Sequence, residues 1–285
     1  FVIMSTERSV SVMKKILGCI RKADRDFSLI EDGDKIAVGV SGGKDSMALL
    51  YALHLYQKFA PVKFELVGIT LKLGFPGMDF NPVVEFCEKH GIEYHLVDTE
   101  VYEILKLNGT PDGKIPCSLC SKFKKAILIK KGTELGCNKI ALGHHYDDVI
   151  ETILMGMLYS GKIETMMPKL HSTNFEGMEL IRPMYLIKEA DIIGWRDYNQ
   201  LNFIQCACRF TENCATCGGG RGSKRDEMKE LIAQFREESN LIEKNIFRSV
   251  HNVNLRTIIG YHKDDDIYNF LDDYDERGKK KHEKM

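Results

Sequence analysis

Neither sign of charge predominates in this sequence: 40 lysines and arginines stand against 41 aspartates and glutamates, a net charge of −1 over 285 residues. A whole-molecule field that would gather polyanions or anionic membranes is therefore excluded, and any nucleic-acid contact must come from a local basic face. Long apolar runs are also missing. Nothing approaches the roughly 20 residues of a membrane-spanning helix, and no signal-peptide pattern precedes Ser5. Residues 1–4 precede a plausible start and carry little information. These absences lead to the expectation of a cytoplasmic protein with no membrane partner, and the lack of internal repeats excludes an array. Cysteine is plentiful instead. Nine of them, several in close pairs, point in a reducing compartment to metal or redox chemistry before disulfides. With 44% hydrophobic and 28% charged residues, the length suits one large α/β domain with an appendage, or two unequal domains.

The chain is organised around residues 35–50, KIAVGVSGGKDSMALL. The β-branched run at 36–40 predicts a strand buried on both faces, and a helical pattern restarts at Met47. Ser41, Gly42, Gly43, Lys44, Asp45 and Ser46 must form the turn between them. There the glycines remove side chains where backbone N–H groups close on an anion, the helix dipole favours negative charge, and Lys44 adds a point charge. A phosphate is the expected ligand. A kinase-type loop is a poor match, because Asp45 follows Gly43-Lys44 and no glycine stands five residues before Gly43.

Further strands are expected at 64–71, 93–97 and 139–142, alternating with helices at 8–23, 82–90 and 189–201. This alternation implies right-handed crossovers and a Rossmann-like α/β fold, a parallel sheet with helices on both faces and ligands beyond the carboxyl strand ends. The first helix is basic on one stripe (Lys14, Lys15, Arg21, Lys22) and apolar on the other, so packing against the sheet is its default role. Gly143, His144, His145, Asp147 and Asp148 follow a strand end and suggest magnesium or phosphate management. Met155, Met157, Leu158, Met166 and Met167 are expected in the core.

Cys117 and Cys120, at C-x-x-C spacing before a helix, put two thiols where the thiol pKa falls. A dithiol, a half zinc site, a packing pair and part of a larger metal site all fit two ligands, although the surroundings are not thioredoxin-like. The helix that follows carries Lys122, Lys124, Lys125, Lys130 and Lys131, with Phe123, Ala126, Ile127 and Ile129 as its expected buried face. Such a lysine face is what a phosphate backbone needs.

Taken together, S-G-G-K-D-S, P-C-x-x-C before a basic helix, G-H-H-x-D-D-x-x-E-T-x-L-M, and Ile181-Arg182-Pro183 with a following acidic position resemble the tRNA 2-thiocytidine synthetase (TtcA) family of PP-loop ATP pyrophosphatases. The resemblance spans about residues 8–260. It implies ATP cleavage between the α and β phosphates, adenylation of a cytidine in the tRNA anticodon loop, and its 2-thiolation. It also implies catalytic roles for Lys44, Asp45, Cys117 and Cys120, and ATP or pyrophosphate contacts by residues 41–46, Thr70, Gly143, His144, Asp147 and Arg182. Mg2+ is expected near Asp45, with Asp148 as a second ligand. A 4Fe–4S cluster on Cys117, Cys120 and one downstream cysteine is implied as well. Cys206 stands where the family's third ligand does, but Cys208, Cys214 and Cys217 follow, so Cys214 or Cys217 as that ligand and a four-thiolate zinc knot stay open. The implied partners are tRNA, contacted by Lys122, Lys124, Lys125, Arg221, Lys224 and Arg225, a sulfur donor (a cysteine desulfurase or sulfide), and a second copy of the chain in a homodimer. The corresponding organisation is a basic helical segment at 1–30, a PP-loop domain at 31–205, a cysteine-containing helical extension at 206–262 and a charged, partly disordered tail at 263–285. Alternatives are a lysidine synthetase-like or 2-thiouridine enzyme, the former disfavoured by Cys117 and Cys120, and a cluster-bearing redox protein without tRNA chemistry.

Overall fold

A computed structural model of the chain describes residues 2–74, 78–107, 117–201 and 224–275. Helix α1 (Val2–Phe27) leads into β1 (Lys35–Gly39), α2 (Lys44–Tyr56), β2 (Glu65–Lys72), α3 (Asn81–His90) and β3 (Glu93–Asp98). Helices α4 (Val101–Leu107) and α5 (Cys117–Glu134) precede β4 (Lys139–Ala141). Then come α6 (Tyr146–Met155), the hairpin β5 (Lys169–His171) and β6 (Glu179–Ile181), and α7 (Glu189–Tyr198). Helices α8 (Lys224–Glu238) and α9 (Asn240–Ser249) and a final hairpin, β7 (Gly260–Lys263) and β8 (Asp266–Asn269), complete it.

The main sheet has the order β3-β2-β1-β4-β6-β5, parallel throughout except for β5. The chain moves outward from β1 to β3, then crosses back to put β4 on the other side of β1. That reversal opens a crevice beyond the carboxyl ends of β1 and β4. Because β1 is central, both its faces are covered and its residues read as a continuous apolar run. Ile36, Val38 and Val40 pack with α1, α2 and α7. Ala37 faces Leu128 and Ile129 of α5, with Ile140 and Leu180 beside them. Leu128 packs over Gly39, where a Cβ would lie 2.7 Å from Leu128 Cδ2 and shift that side chain.

At the amino end of the sheet, Lys139 begins a buried strand with a charge. Its ammonium meets Asp34 at 2.8 Å and Glu179 at 3.2 Å, and donates to Leu29 O. A buried lysine persists only when paired in this way.

Several expectations change. Helix α1 keeps its expected packing, with Ile16 and Ile20 of its apolar stripe in the same core as α2 and α7, but other positions differ. Ala126 is exposed and Leu128 takes its place in the buried face of α5. Met157, Leu158 and Met167 are exposed rather than core, because a π-helical turn (Gly156–Ser160) carries the chain outward after α6. Within the stretch from 263, expected to be ordered only in part, residues up to 275 include the β7–β8 hairpin and a short 3-10 turn (Phe270–Asp273). Among the described residues no helix is long and apolar enough to cross a membrane.

Candidate functional site

Between β1 and α2 the backbone turns through Gly42 at φ +80, a conformation that L side chains avoid. Gly43 is the N-cap of α2 and supplies no side-chain cap, so the first-turn N–H groups face the crevice without a built-in acceptor. The turn is instead braced from behind. Ser46 Oγ accepts from Ser41 N–H at 3.1 Å and donates to Gly43 O at 3.0 Å. The Thr70 hydroxyl, 1% exposed, donates to Val40 O at 2.7 Å. Thr70, expected among the ATP contacts, thus spends its side chain on fixing the turn.

The loop after β4 lies directly against this turn. A Cβ on Gly143 would come within 3.3 Å of Asp45 C and Ser46 N, a tight contact with backbone that a larger residue would have to push aside. Next to it, Arg182 Nε donates to His144 Nδ1 at 3.3 Å, and Arg182 Nη1 donates to Met167 O. Arg182 forms no ion pair among the described residues, a state that suits an incoming anion. Burial, followed by the Arg182 charge, holds His144 below the usual imidazole range, so the ring stays neutral and can accept that bond. His145 is buried, with Nε2 3.8 Å from Asp45 Oδ1 and Nδ1 3.5 Å from Asp148 Oδ2.

The two aspartates that follow are already engaged. Asp147 Oδ2 accepts from Glu189 N–H at 2.6 Å, and its Oδ1 accepts from Arg236 at 2.5 Å. Asp148 Oδ2 accepts from His145 N–H at 3.0 Å, and its Oδ1 meets Arg225 at 2.9 Å. Both had been expected to serve the nucleotide or its magnesium; here they anchor α7 and α8 to the strand end. Asp45 is the remaining carboxylate of that expected set, and it pairs with Lys44 at 3.0 Å. Lys44 also reaches Glu189 Oε1 at 2.9 Å. Burial opposes both charges, yet the Lys44–Glu189 hydrogen bond and the neighbouring charges leave Lys44 above and Glu189 below their ordinary ranges.

From Asp147 the network continues outward. Arg236 also meets Glu243 at 2.6 Å, and the buried Glu243 takes Lys188 as its second partner. Glu189, Arg236, Glu243 and Lys188 carry no motif, and the pattern of residues gave no signal for them beyond an acidic position after Arg182-Pro183.

Cys120 is buried beside Leu73, Val101 and Leu105, past the carboxyl end of β2. Helix α5 covers the sheet face opposite α2, but it runs from this edge back to the amino end, where Asn138 N–H donates to Lys35 O. Its first turn and the glycine turn therefore share the carboxyl edge. Cys117 opens α5; its side chain lies outside the described residues, as do Cys206, Cys208, Cys214, Cys217 and Arg221. Among the described residues no group of three or more His, Cys, Asp or Glu could hold a metal. Two thiol positions three residues apart on one helical turn fit part of an iron–sulfur donor set. Lys122, Lys124 and Lys125 are exposed on α5. Lys224 is exposed at the start of α8 with its ammonium 4.5 Å from the Tyr159 ring centre, whereas Arg225 is turned inward to Asp148.

Residues 12–208 match the family model of the PP-loop domain. The chain is 36% identical over 246 residues to the tRNA-cytidine(32) 2-sulfurtransferase of Geobacter sulfurreducens, covering 86% of this chain and 92% of that protein. It is 36% identical over 244 residues to the protein of the same description from Delftia acidovorans, covering 86% and 75%. In three dimensions it is similar to the U34-tRNA thiolase NcsA of Methanococcus maripaludis, solved with its 4Fe–4S cluster, at a TM-score of 0.67 and 24% identity, covering 88% of this chain and 83% of that one. At that identity the likeness speaks for the shared fold.

Proposed function

This chain belongs to the PP-loop family, together with the tRNA-cytidine(32) 2-sulfurtransferases, and from that premise we propose that it is an ATP-dependent tRNA sulfurtransferase that replaces O2 of an anticodon-loop cytidine with sulfur. One observation carries the reading: the anion-binding turn and the first turn of the C-x-x-C helix lie at the same edge of the sheet.

The α2 N-terminus and Lys44 receive the phosphates and offset charge that develops as the cytidine oxygen attacks the α phosphate and pyrophosphate leaves. Arg182, without a carboxylate partner among the described residues, takes a second phosphate position. Adenylation matters because a carbonyl oxygen leaves poorly, whereas AMP leaves well. A 4Fe–4S cluster on Cys117, Cys120 and a third thiolate, Cys206 by its order in the chain, would supply the sulfur that takes the oxygen's place at C2. Mg2+ would sit at Asp45, since both oxygens of Asp148 are already used. The exposed lysines of α5, with Lys224, would meet the tRNA backbone, and a loop base is unstacked more readily than one in a duplex. A sulfur donor, either a cysteine desulfurase or sulfide, a homodimeric assembly and a cytoplasmic setting complete the reading.

The test is direct. Protein purified without oxygen should carry about four irons and lose them in Cys117→Ala, Cys120→Ala and Cys206→Ala, but not in Cys214→Ala. With ATP, sulfide and cytidine-bearing tRNA it should release pyrophosphate and form 2-thiocytidine detectable by mass spectrometry. Pyrophosphate release that does not depend on tRNA, or tRNA lacking the modified base, refutes the assignment.

A further inference from the structure

The Lys44 ammonium of the phosphate turn is held by two carboxylates, one from the adjacent Asp45 and one from the start of α7. Glu189 Oε1 lies 2.9 Å from Lys44 Nζ, where a phosphate oxygen would otherwise be received. An ammonium has three donors, so Lys44 can keep Asp45 and still exchange Glu189 for a phosphate. It cannot hold both anions closely without placing like charges side by side in a half-buried crevice, where their repulsion is little screened. The carboxylate is therefore an occupant that nucleotide must displace.

A second cation is ready for it. Glu189 Oε2 already lies 3.7 Å from Lys229 Nζ on α8. The same residue's N–H is fixed by Asp147, which α8 reaches again through Arg236. Lys229 and Arg236 are seven residues apart, two turns along one face of α8. The backbone of Glu189 is thus pinned while its side chain is free to swing between Lys44 and α8.

We infer that Glu189 is a positioning residue: it holds Lys44 in the empty site and, when nucleotide takes Lys44, turns to Lys229 and tightens α8 against the site. Helix α8 follows directly on the cysteine-bearing stretch and opens with Lys224 and Arg225, so its tightening links nucleotide occupancy to the face assigned to tRNA. The inference rests on the nucleotide reading of the turn, but its test needs no tRNA and no turnover.

The probe is the α,β-methylene analogue of ATP with magnesium, added to the full-length protein. Its affinity is read by calorimetry and the exchange of α8 amides by hydrogen–deuterium mass spectrometry. At saturation, exchange across 224–238 slows at least threefold in the wild type. In Lys229→Met, a half-exposed position that folding tolerates, the slowing disappears while the analogue still saturates the protein; Lys229→Arg restores it. In Glu189→Gln the slowing also disappears and the analogue binds three- to tenfold more tightly, because a competing anion has been removed. Undiminished slowing in Lys229→Met or Glu189→Gln overturns the inference, as does an α8 that does not respond in wild-type protein carrying bound analogue. An analogue that fails to bind the wild type overturns the nucleotide reading and this inference with it.

Discussion

Glu151 sits on α6 among charged neighbours, 1% exposed, and its Oε2 accepts no hydrogen bond among the described residues. Burial pushes its carboxyl from an ordinary 4.5 up to about 7, with Lys229 and Arg225 offsetting only part of that rise; Arg225 Nε stands 3.5 Å away. A carboxyl whose value is higher in the folded than in the unfolded state contributes its full stability below the unfolded value, near pH 4.5, and loses it as pH rises through 7. At about 1.4 kcal/mol for each pH unit between the two values, keeping the charged form folded at pH 8 costs about 3 kcal/mol. Glu151→Gln keeps the shape and removes the charge. Urea unfolding followed by the fluorescence of the buried Trp195 should find the variant more stable than wild type, by about 1 kcal/mol at pH 5 and about 3 kcal/mol at pH 8. Taking the difference between the two proteins cancels the other titrating groups. A gap that does not widen with pH, or a variant that is the less stable at pH 8, refutes the reasoning.

Gly143→Ala pushes a methyl against backbone at Asp45 and Ser46, atoms that cannot swing aside. It should cost about 1–3 kcal/mol and, with circular dichroism unchanged, weaken ATP-analogue binding at least tenfold. Asp34→Ala removes the nearest partner of the buried Lys139 and should lower the unfolding free energy by about 3 kcal/mol, measured by urea titration. Replacing Lys122, Lys124 and Lys125 together with alanine should weaken tRNA binding and make its salt dependence shallower by about 2 in log–log slope, while ATP-analogue affinity stays the same.

The parts of the fold that were legible are those in which local pattern and global position agree. Residues 36–40 read as a strand buried on both faces because β1 is central, and Gly42-Gly43 read as an anion turn because a strand and a helix meet there. Other expectations failed where a tertiary contact overrides the pattern. Lys139 is not among these, since its strand was expected; what the pattern did not show is how its charge is met, by Asp34, Glu179 and the Leu29 carbonyl, all distant in sequence. Met157, Leu158 and Met167 are apolar at helical spacing, so they suggested core. The π-helical turn after α6 breaks that spacing, and Gly156 at its start and Gly161 at its end are the local signs of it. Leu128 displaced Ala126 because the missing side chain at Gly39 makes a hollow for the larger residue.

The charged network illustrates the same limit more sharply. Asp147 and Asp148 form a conspicuous pair, and adjacent carboxylates at a strand end invite a metal. What they meet in the fold is set by partners that come from 42 residues away for Glu189 and 89 for Arg236. No spacing rule reaches that far. The consequence bears on where the catalytic unit ends. A boundary at 205 separates the glycine turn from α8 and α9 along the chain. In space, however, α6 shares a core with Met228 and Ile232 of α8 and with Ile246 and Phe247 of α9, and its first aspartates are neutralised by Arg225 and Arg236. Cutting the chain there would strip the buried Asp147 and the half-buried Asp148 of their cations just beside the phosphate turn, so the appendage belongs to the site's electrostatics as much as the sheet does.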